Sequence, residues 1–216
     1  MNHLNFLGLC LLCLTCVGVA AQNAKPFVIP ELKEWQGKDG AFVPSEKTCI
    51  VYGNVALQSI AEAFAADWKE MFGNALQVKA GKPQAGDFYL TLKKDKKLGK
   101  EGYAIAVAKY VTVSAPETTG VYWATRTLLQ IGEQSDNHAL PHGTVRDWPD
   151  YSVRGFMMDC GRKFIPMAYM RDLVKMMSYY KMNVLQVHLN DNGFKQFFGH
   201  DWSKTYAAFR LECETF

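Results

Sequence analysis

Asp159 and Arg162 stand at the end of one apolar run, VRGFMMDC, and His188 and Asp191 at the end of a second, NVLQVHLND. An arginine there offers a planar set of donors that suits vicinal hydroxyls or a carboxylate. An aspartate beside it can orient a histidine or accept from a hydroxyl. Each residue also has an ordinary structural use. Asp159 can cap a turn, Arg162 can pair with Asp159, and His188 can sit hydrogen-bonded in a core. Asp191 lies in NDNG, where a turn-forming aspartate needs no further role. Singly the four signals are weak. Jointly, on the same rim of adjacent strands, they mark a candidate site.

The elements that must hold these residues follow from the pattern around them. VRGFMMDC is nearly continuous in apolar residues, as expected for a parallel strand covered on both faces. Pro166 is placed to open a helix in its first turn. Met170, Leu173, Val174, Met177 and Tyr180 share one stripe of that helix. NVLQVHLND reads as a second strand, giving one β-α-β unit with a right-handed crossover. In parallel α/β architectures the carboxyl ends of the strands collect the functional groups. Two strands and a helix cannot bury their own faces, and a (β/α)₈ barrel needs roughly 250 residues. The second strand would also keep an unpaired edge. The chain is therefore expected to be the front part of a longer protein.

Upstream, from about Lys25 to Leu140, the pattern is mixed. TCIVYG reads as a strand. A helix follows with Val55, Ile60, Phe64, Trp68 and Met71 on one face and Gly73 as its stop. LQVKA, DFYLTL, YAIAVA and VTVSA read as strands, the last two as a hairpin across a short link. TTGVYWATRTLLQIGEQ reads as a second helix with Val121, Ala124, Leu128 and Ile131 on a common face. Strands joined by hairpins, with two helices on one face, describe a small α+β sandwich. The turn-rich LPHGTVRDWPD marks a boundary near residues 141–150.

The remaining features bound the class. A net charge of +3 on 216 residues argues against nucleic acid or an anionic membrane as target. The lysines of KKDKKLGK, residues 93–100, read as a solvated loop. LNFLGLCLLCLTCVGVAAQ is apolar and bracketed by small residues, too short for a comfortable membrane span, and reads as a secretory signal. Val19 and Ala21 suit cleavage before Gln22, although His3 and the terminal amine alone supply positive charge. Cys10, Cys13 and Cys16 each follow Leu or Thr, which favours soluble export, periplasmic or extracellular, over a lipoprotein. After cleavage Cys49, Cys160 and Cys213 remain, an odd count whose spacing matches no metal motif, so buried free thiols are expected. The resulting division is a signal peptide at 1–21, an accessory domain at 22–148 and a barrel start at 149–216.

The stretch VRGFMMDCGRKFIPMAYMRDLVKMMSYYKMNVLQVHLNDNGF resembles the opening of the catalytic barrel of glycoside hydrolase family 20, the β-N-acetylhexosaminidases. The resemblance rests on Arg154-Gly155, Asp159 to Arg162, the Tyr-Lys-x-Asn of Tyr180 to Asn183, and His188 to Asp191. EGYAIAV and TGVYWATRTLLQI resemble the family's accessory α+β domain, and DWPD stands where its Asp-x-Pro linker does. The implied fold is that accessory domain followed by the first β-α-β unit of an incomplete (β/α)₈ TIM barrel.

The resemblance implies a terminal N-acetylhexosamine of a glycan as substrate and no cofactor or metal. It implies that Arg162 binds hydroxyls of the terminal sugar in the −1 subsite, with Asp159 and His188 also on the substrate side of the rim. Asp191 is implied in a relay, through a later histidine, that tunes the general acid. Arg210 and Glu212 match a Trp-Arg-x-Glu stretch in which Phe209 replaces the tryptophan. Asn192 and Gly193 depart from the family's usual Asp and Gln there. The implied mechanism is substrate-assisted, the 2-acetamido oxygen attacking the anomeric carbon, one of the exceptions to the two-carboxylate scheme. It needs an adjacent Asp-Glu pair, and no such dipeptide occurs in this sequence. The 216-residue chain is thus expected to be inactive and poorly soluble by itself. Two rival readings are a non-catalytic carbohydrate-binding or assembly module with a vestigial barrel start, and a different exported glycosidase sharing the accessory domain.

Overall fold

The computed structural model describes residues 22–161, 163–189, 199 and 201. The first unit is built from β1 (Glu34–Phe42), β2 (Cys49–Tyr52), α1 (Gln58–Phe72), β3 (Gln77–Ala80), β4 (Phe88–Leu92), β5 (Tyr103–Val107), β6 (Val111–Ala115), α2 (Thr118–Gly132) and β7 (Leu140–Asp147). Its strands form one seven-stranded sheet in the order β1-β7-β5-β6-β4-β2-β3. Side chains alternate along a strand with period two. Tyr103, Ile105 and Val107 of β5 are accordingly buried with Val111, Val113 and Ala115 of β6 and with Phe88 and Leu90 of β4. The two helices cover that face. Phe88 lies at its centre, with the rings of Phe42, Phe64 and Trp68 each 5.3 Å away. Gly120 permits the closest approach of α2 to the sheet, since a Cβ there would lie 2.3 Å from the Gly102 carbonyl oxygen.

Several sequence expectations need correction. Only β5 and β6 form the expected hairpin; β2 pairs in parallel with β3 and with β4, and β4 in parallel with β6. Two strands escaped the sequence reading. EWQGKDGAF is β1 despite its two glycines, and its register with β7 shifts between Gly37 and Ala41. LPHGTVRD, expected to be a boundary of turns, is β7, paired on one side with β1 and on the other with β5. Pairing on both edges supplies what local propensity lacks there. In the first helical segment, residues 55–57 form a 3₁₀ turn capped by the Asn54 side chain. Val55 and Met71 are exposed, and the buried face is Leu57, Ala61, Phe64 and Trp68. Gly73 does end α1, in the left-handed conformation at φ 80°.

The second unit is β8 (Gly155–Asp159), α3 (Met167–Tyr179) and β9 (Val184–His188). The two strands are parallel, in register from Gly155 opposite Val184 to Asp159 opposite His188. Pro166 caps α3 from the residue before it rather than standing in its first turn. The expected covering of β8 on both faces is not what the described residues show: Phe156 is 45% and Met157 54% exposed. On the expected α3 stripe Met177 is buried, whereas Val174 and Tyr180 are exposed. Cys49 and Cys160 are buried free thiols, and Cys213 lies outside the described residues. No helix among the described residues is long and apolar enough to cross a membrane.

Candidate active site

The parallel register places Asp159 and His188 side by side at the carboxyl ends of β8 and β9. Both are half-buried. The Cys160 amide donates to the His188 carbonyl at 2.9 Å, which carries the ladder one residue past the end of β8. Oδ1 of Asp159 accepts from the Gly161 amide at 3.1 Å, so the carboxylate shapes the turn that leaves the strand. A turn-capping role and a rim position are thus held by the same residue. Beside it lies a concavity of about 450 Å³ lined by Met157, Asp159, Lys163, Phe164 and Tyr169. Arg162 and Asp191 lie outside the described residues, as do Asn192, Gly193, Phe209, Arg210 and Glu212. Among the described residues no group of three His, Cys, Asp or Glu side chains is placed to hold a metal ion.

The opposite ends of the two strands are tied to each other and to the first sheet. The Arg154 amide donates to Oδ1 of Asn183 at 2.9 Å, and the Asn183 amide returns a bond to the Arg154 carbonyl at 2.9 Å. Nε of Arg154 donates to the Lys181 carbonyl at 2.7 Å, and its guanidinium pairs with Glu101 while lying over the Trp123 ring. Glu101 also accepts from Nε1 of Trp123 at 2.8 Å. Next to them, Nζ of Lys181 reaches the Tyr103 hydroxyl at 2.7 Å and Oδ2 of Asp147 at 3.2 Å. Tyr103 in turn bonds Asp147 and Thr127.

Lys181 is unusual twice over. It is only 6% exposed, and its φ of 58° lies in the left-handed region, just past the end of α3. Glycine is the common residue at that position, and a side chain there costs about 1–2 kcal/mol. Burial holds the Lys181 ammonium below the ordinary lysine pKa, with Asp147 pulling the other way. Burial, and then the charge of Asp147, pushes the Tyr103 phenol well above its ordinary value. Arg154, Lys181 and Asn183 fall within the motifs that carry the family resemblance without a role in the site expected from sequence, and no sequence signal of their own marks Glu101, Tyr103 or Asp147 for that site. The one available signal was a lysine following directly on a helix with no glycine to end it.

A seven-stranded accessory sheet leading into a parallel β-α-β unit with a polar rim defines a two-part α/β protein of the kind that places its site at strand ends. Residues 25–148 match the profile of glycosyl hydrolase family 20, domain 2, and residues 151–197 that of the glycosyl hydrolase family 20 catalytic domain. The chain belongs to glycosyl hydrolase family 20 and corresponds to the amino-terminal part of its architecture.

It is 26% identical over 212 residues to a beta-hexosaminidase of Porphyromonas gingivalis, covering 89% of this chain and 27% of that protein. To a beta-hexosaminidase of Vibrio furnissii it is 30% identical over 176 residues, covering 80% of this chain and 28% of that one. Among solved structures, it resembles the GH20 beta-N-acetylhexosaminidase of Streptomyces coelicolor A3(2). The TM-score is 0.71 at 22% identity, over 80% of this chain and 36% of the other, a likeness of fold. The chain therefore spans little more than a quarter of the length of the P. gingivalis and V. furnissii proteins.

Proposed function

We propose that the protein is an exported β-N-acetylhexosaminidase that removes terminal N-acetylhexosamine from glycans by the substrate-assisted, retaining route. The observation that carries this is the pairing of Asp159 with His188 at the strand ends, inside the segment that matches the family's catalytic domain. In this reading Arg162, Asp159 and His188 bind the terminal sugar, and Asp191 tunes a general acid that lies outside these 216 residues. The acetamido oxygen of the substrate is the nucleophile, so no second protein carboxylate needs to attack. Residues 1–21 direct export, and the mature chain starts at Gln22.

The test compares two proteins on p-nitrophenyl N-acetylglucosaminide: the 216-residue chain and a form that carries the remainder of a family barrel with its Asp-Glu pair. The short chain is expected to release no nitrophenol. The long form is expected to turn over and to be inhibited by an N-acetylglucosamine thiazoline, which mimics the cyclic intermediate. Turnover by the short chain, or a long form indifferent to the thiazoline, overturns the reading. In the long form Arg162→Ala should lower kcat/KM by about 10-fold to 100-fold, the range of one to two charge-assisted hydrogen bonds. Edman sequencing of exported material should begin at Gln22.

One observation favours the rival reading of a binding module. A cavity of about 250 Å³ where the two units meet is lined by Trp123, Trp148 and Tyr151. Retention of the 216-residue chain on immobilised N-acetylglucosamine, together with an inactive long form, would support that reading instead.

A further inference from the structure

We propose that Lys181 is a positioning residue: its ammonium, held by Asp147 and Tyr103, seats the feet of β8 and β9 on the accessory sheet and so sets the register that brings Asp159 beside His188. The link to catalysis rests on the reading of that rim as the sugar-binding rim. The seating itself does not.

Three observations converge on Lys181. Lysine is almost never fully buried unless paired. Here the pairing partners are Asp147, the last residue of β7, and Tyr103, the first of β5, so the side chain spans from one unit to the other. The backbone at Lys181 holds φ 58°, where glycine is the unstrained choice. A lysine kept in a conformation that suits glycine points to a use for its side chain. The carbonyl of the same residue accepts from Nε of Arg154, the residue immediately before β8. Lys181 thereby grips the foot of β9 through the chain and the foot of β8 through Arg154.

The register is what such a grip controls. Slipping a strand by one residue turns every side chain to the other face. A buried face ordinarily forbids the slip, but on this two-stranded sheet Met158 is buried while Phe156, Met157, Val184 and Val187 are exposed. With so little of either face covered, the strand ends carry much of the register. At the feet, Arg154 and Asn183 exchange backbone and side-chain bonds, and Nδ2 of Asn183 donates to the Ser152 carbonyl at 2.8 Å. Gly155 is thereby set opposite Val184. Four residues further along each strand, about 13 Å away at strand rise, the same register sets Asp159 opposite His188.

The test uses the whole 216-residue chain as wild type, Lys181→Met and Lys181→Gly, followed by amide hydrogen exchange and by the ring ¹⁵N resonances of His188. Both variants are expected to speed exchange in β8 and β9 by about tenfold or more while the amides of β5 and α2 keep their wild-type rates. Both should shift the His188 resonances, which a uniform loss of stability would leave in place in the folded molecules. Lys181→Gly is the sharper variant, because it relieves the backbone while removing the ammonium. Wild-type or slower exchange of β8 and β9 in Lys181→Gly overturns the proposal, as does equal acceleration in both units.

A measurement on the wild type does not depend on either variant folding. The Lys181 amine should react with acetic anhydride at least about tenfold more slowly than that of exposed Lys175, and equal rates would overturn the proposal. None of these readouts uses a sugar, so their failure is distinct from failure of the hexosaminidase reading.

Discussion

Phe64 and Trp68 of α1 with Phe88 of β4, and Phe156 and Met157 of β8 with Phe164 just beyond it, are large apolar side chains in the two units. The first three are fully buried; the second three are 45%, 54% and 74% exposed. The difference lies in how many layers stand over each face. Two helices cover one side of the large sheet and meet each other across it, whereas α3 is the helix that belongs to β8 and β9. An apolar pattern states that a face seeks cover. It does not state what covers it. Where the two units meet, Tyr179 packs against the core of the first, and a set of polar groups joins them as well. Gln130 of α2 donates to the Tyr179 carbonyl at 2.8 Å, Lys175 pairs with Glu70 at 2.7 Å, and Arg154 and Lys181 bind Glu101, Tyr103 and Asp147.

The contrast can be broken by truncating matched positions. Phe88→Ala should have the largest effect, about 3–5 kcal/mol in urea unfolding, because three aromatic rings close around the removed side chain. Tyr103→Phe should follow, at about 1–3 kcal/mol near neutral pH, since it leaves Asp147 and Lys181 without one of their buried partners. Phe156→Ala should stay within about 0.5 kcal/mol, as for an exposed position. A Phe156→Ala cost as large as that of Phe88→Ala would mean that the β8 face is covered in solution and that the contrast is false.

Alkaline pH sharpens the same comparison at the junction. The Tyr103 phenol is raised above 10.0, so an unfolded chain loses that proton first. The stability held by Tyr103 is intact below pH 10 and is lost as pH climbs from there towards its raised value. Lys181 works in the opposite sense. Its folded value lies below 10.5, so its contribution is present above 10.5 and is lost as pH falls to that lowered value. The gap in urea midpoint between wild type and Tyr103→Phe should therefore narrow as pH rises through 10. A constant gap from pH 8 to 11 would place Tyr103 outside the buried pair.

Most of the elements were legible because their periods are local properties. The helical face of Phe64 and Trp68, the alternation in YAIAV and VTVSA, and the stop at Gly73 require only neighbours along the chain. β1 and β7 were not legible, since glycines and polar residues become strands there only when other strands lie alongside. Asp159 and His188 could be picked out as polar residues ending apolar runs. Lys181, which meets Tyr103 and Asp147 across 78 and 34 residues of chain, could not.

By itself, then, the sequence determined the two kinds of grammar, mixed before the linker and β-α-β after it, and the polar residues that end the parallel strands. Those are set by short-range periodicity and by the cost of burying charge. Only the tertiary structure decided the sheet order, the burial of Lys181 and the register that sets Asp159 against His188. Each of these is a contact between distant segments, and its energy exists only once the chain has brought them together.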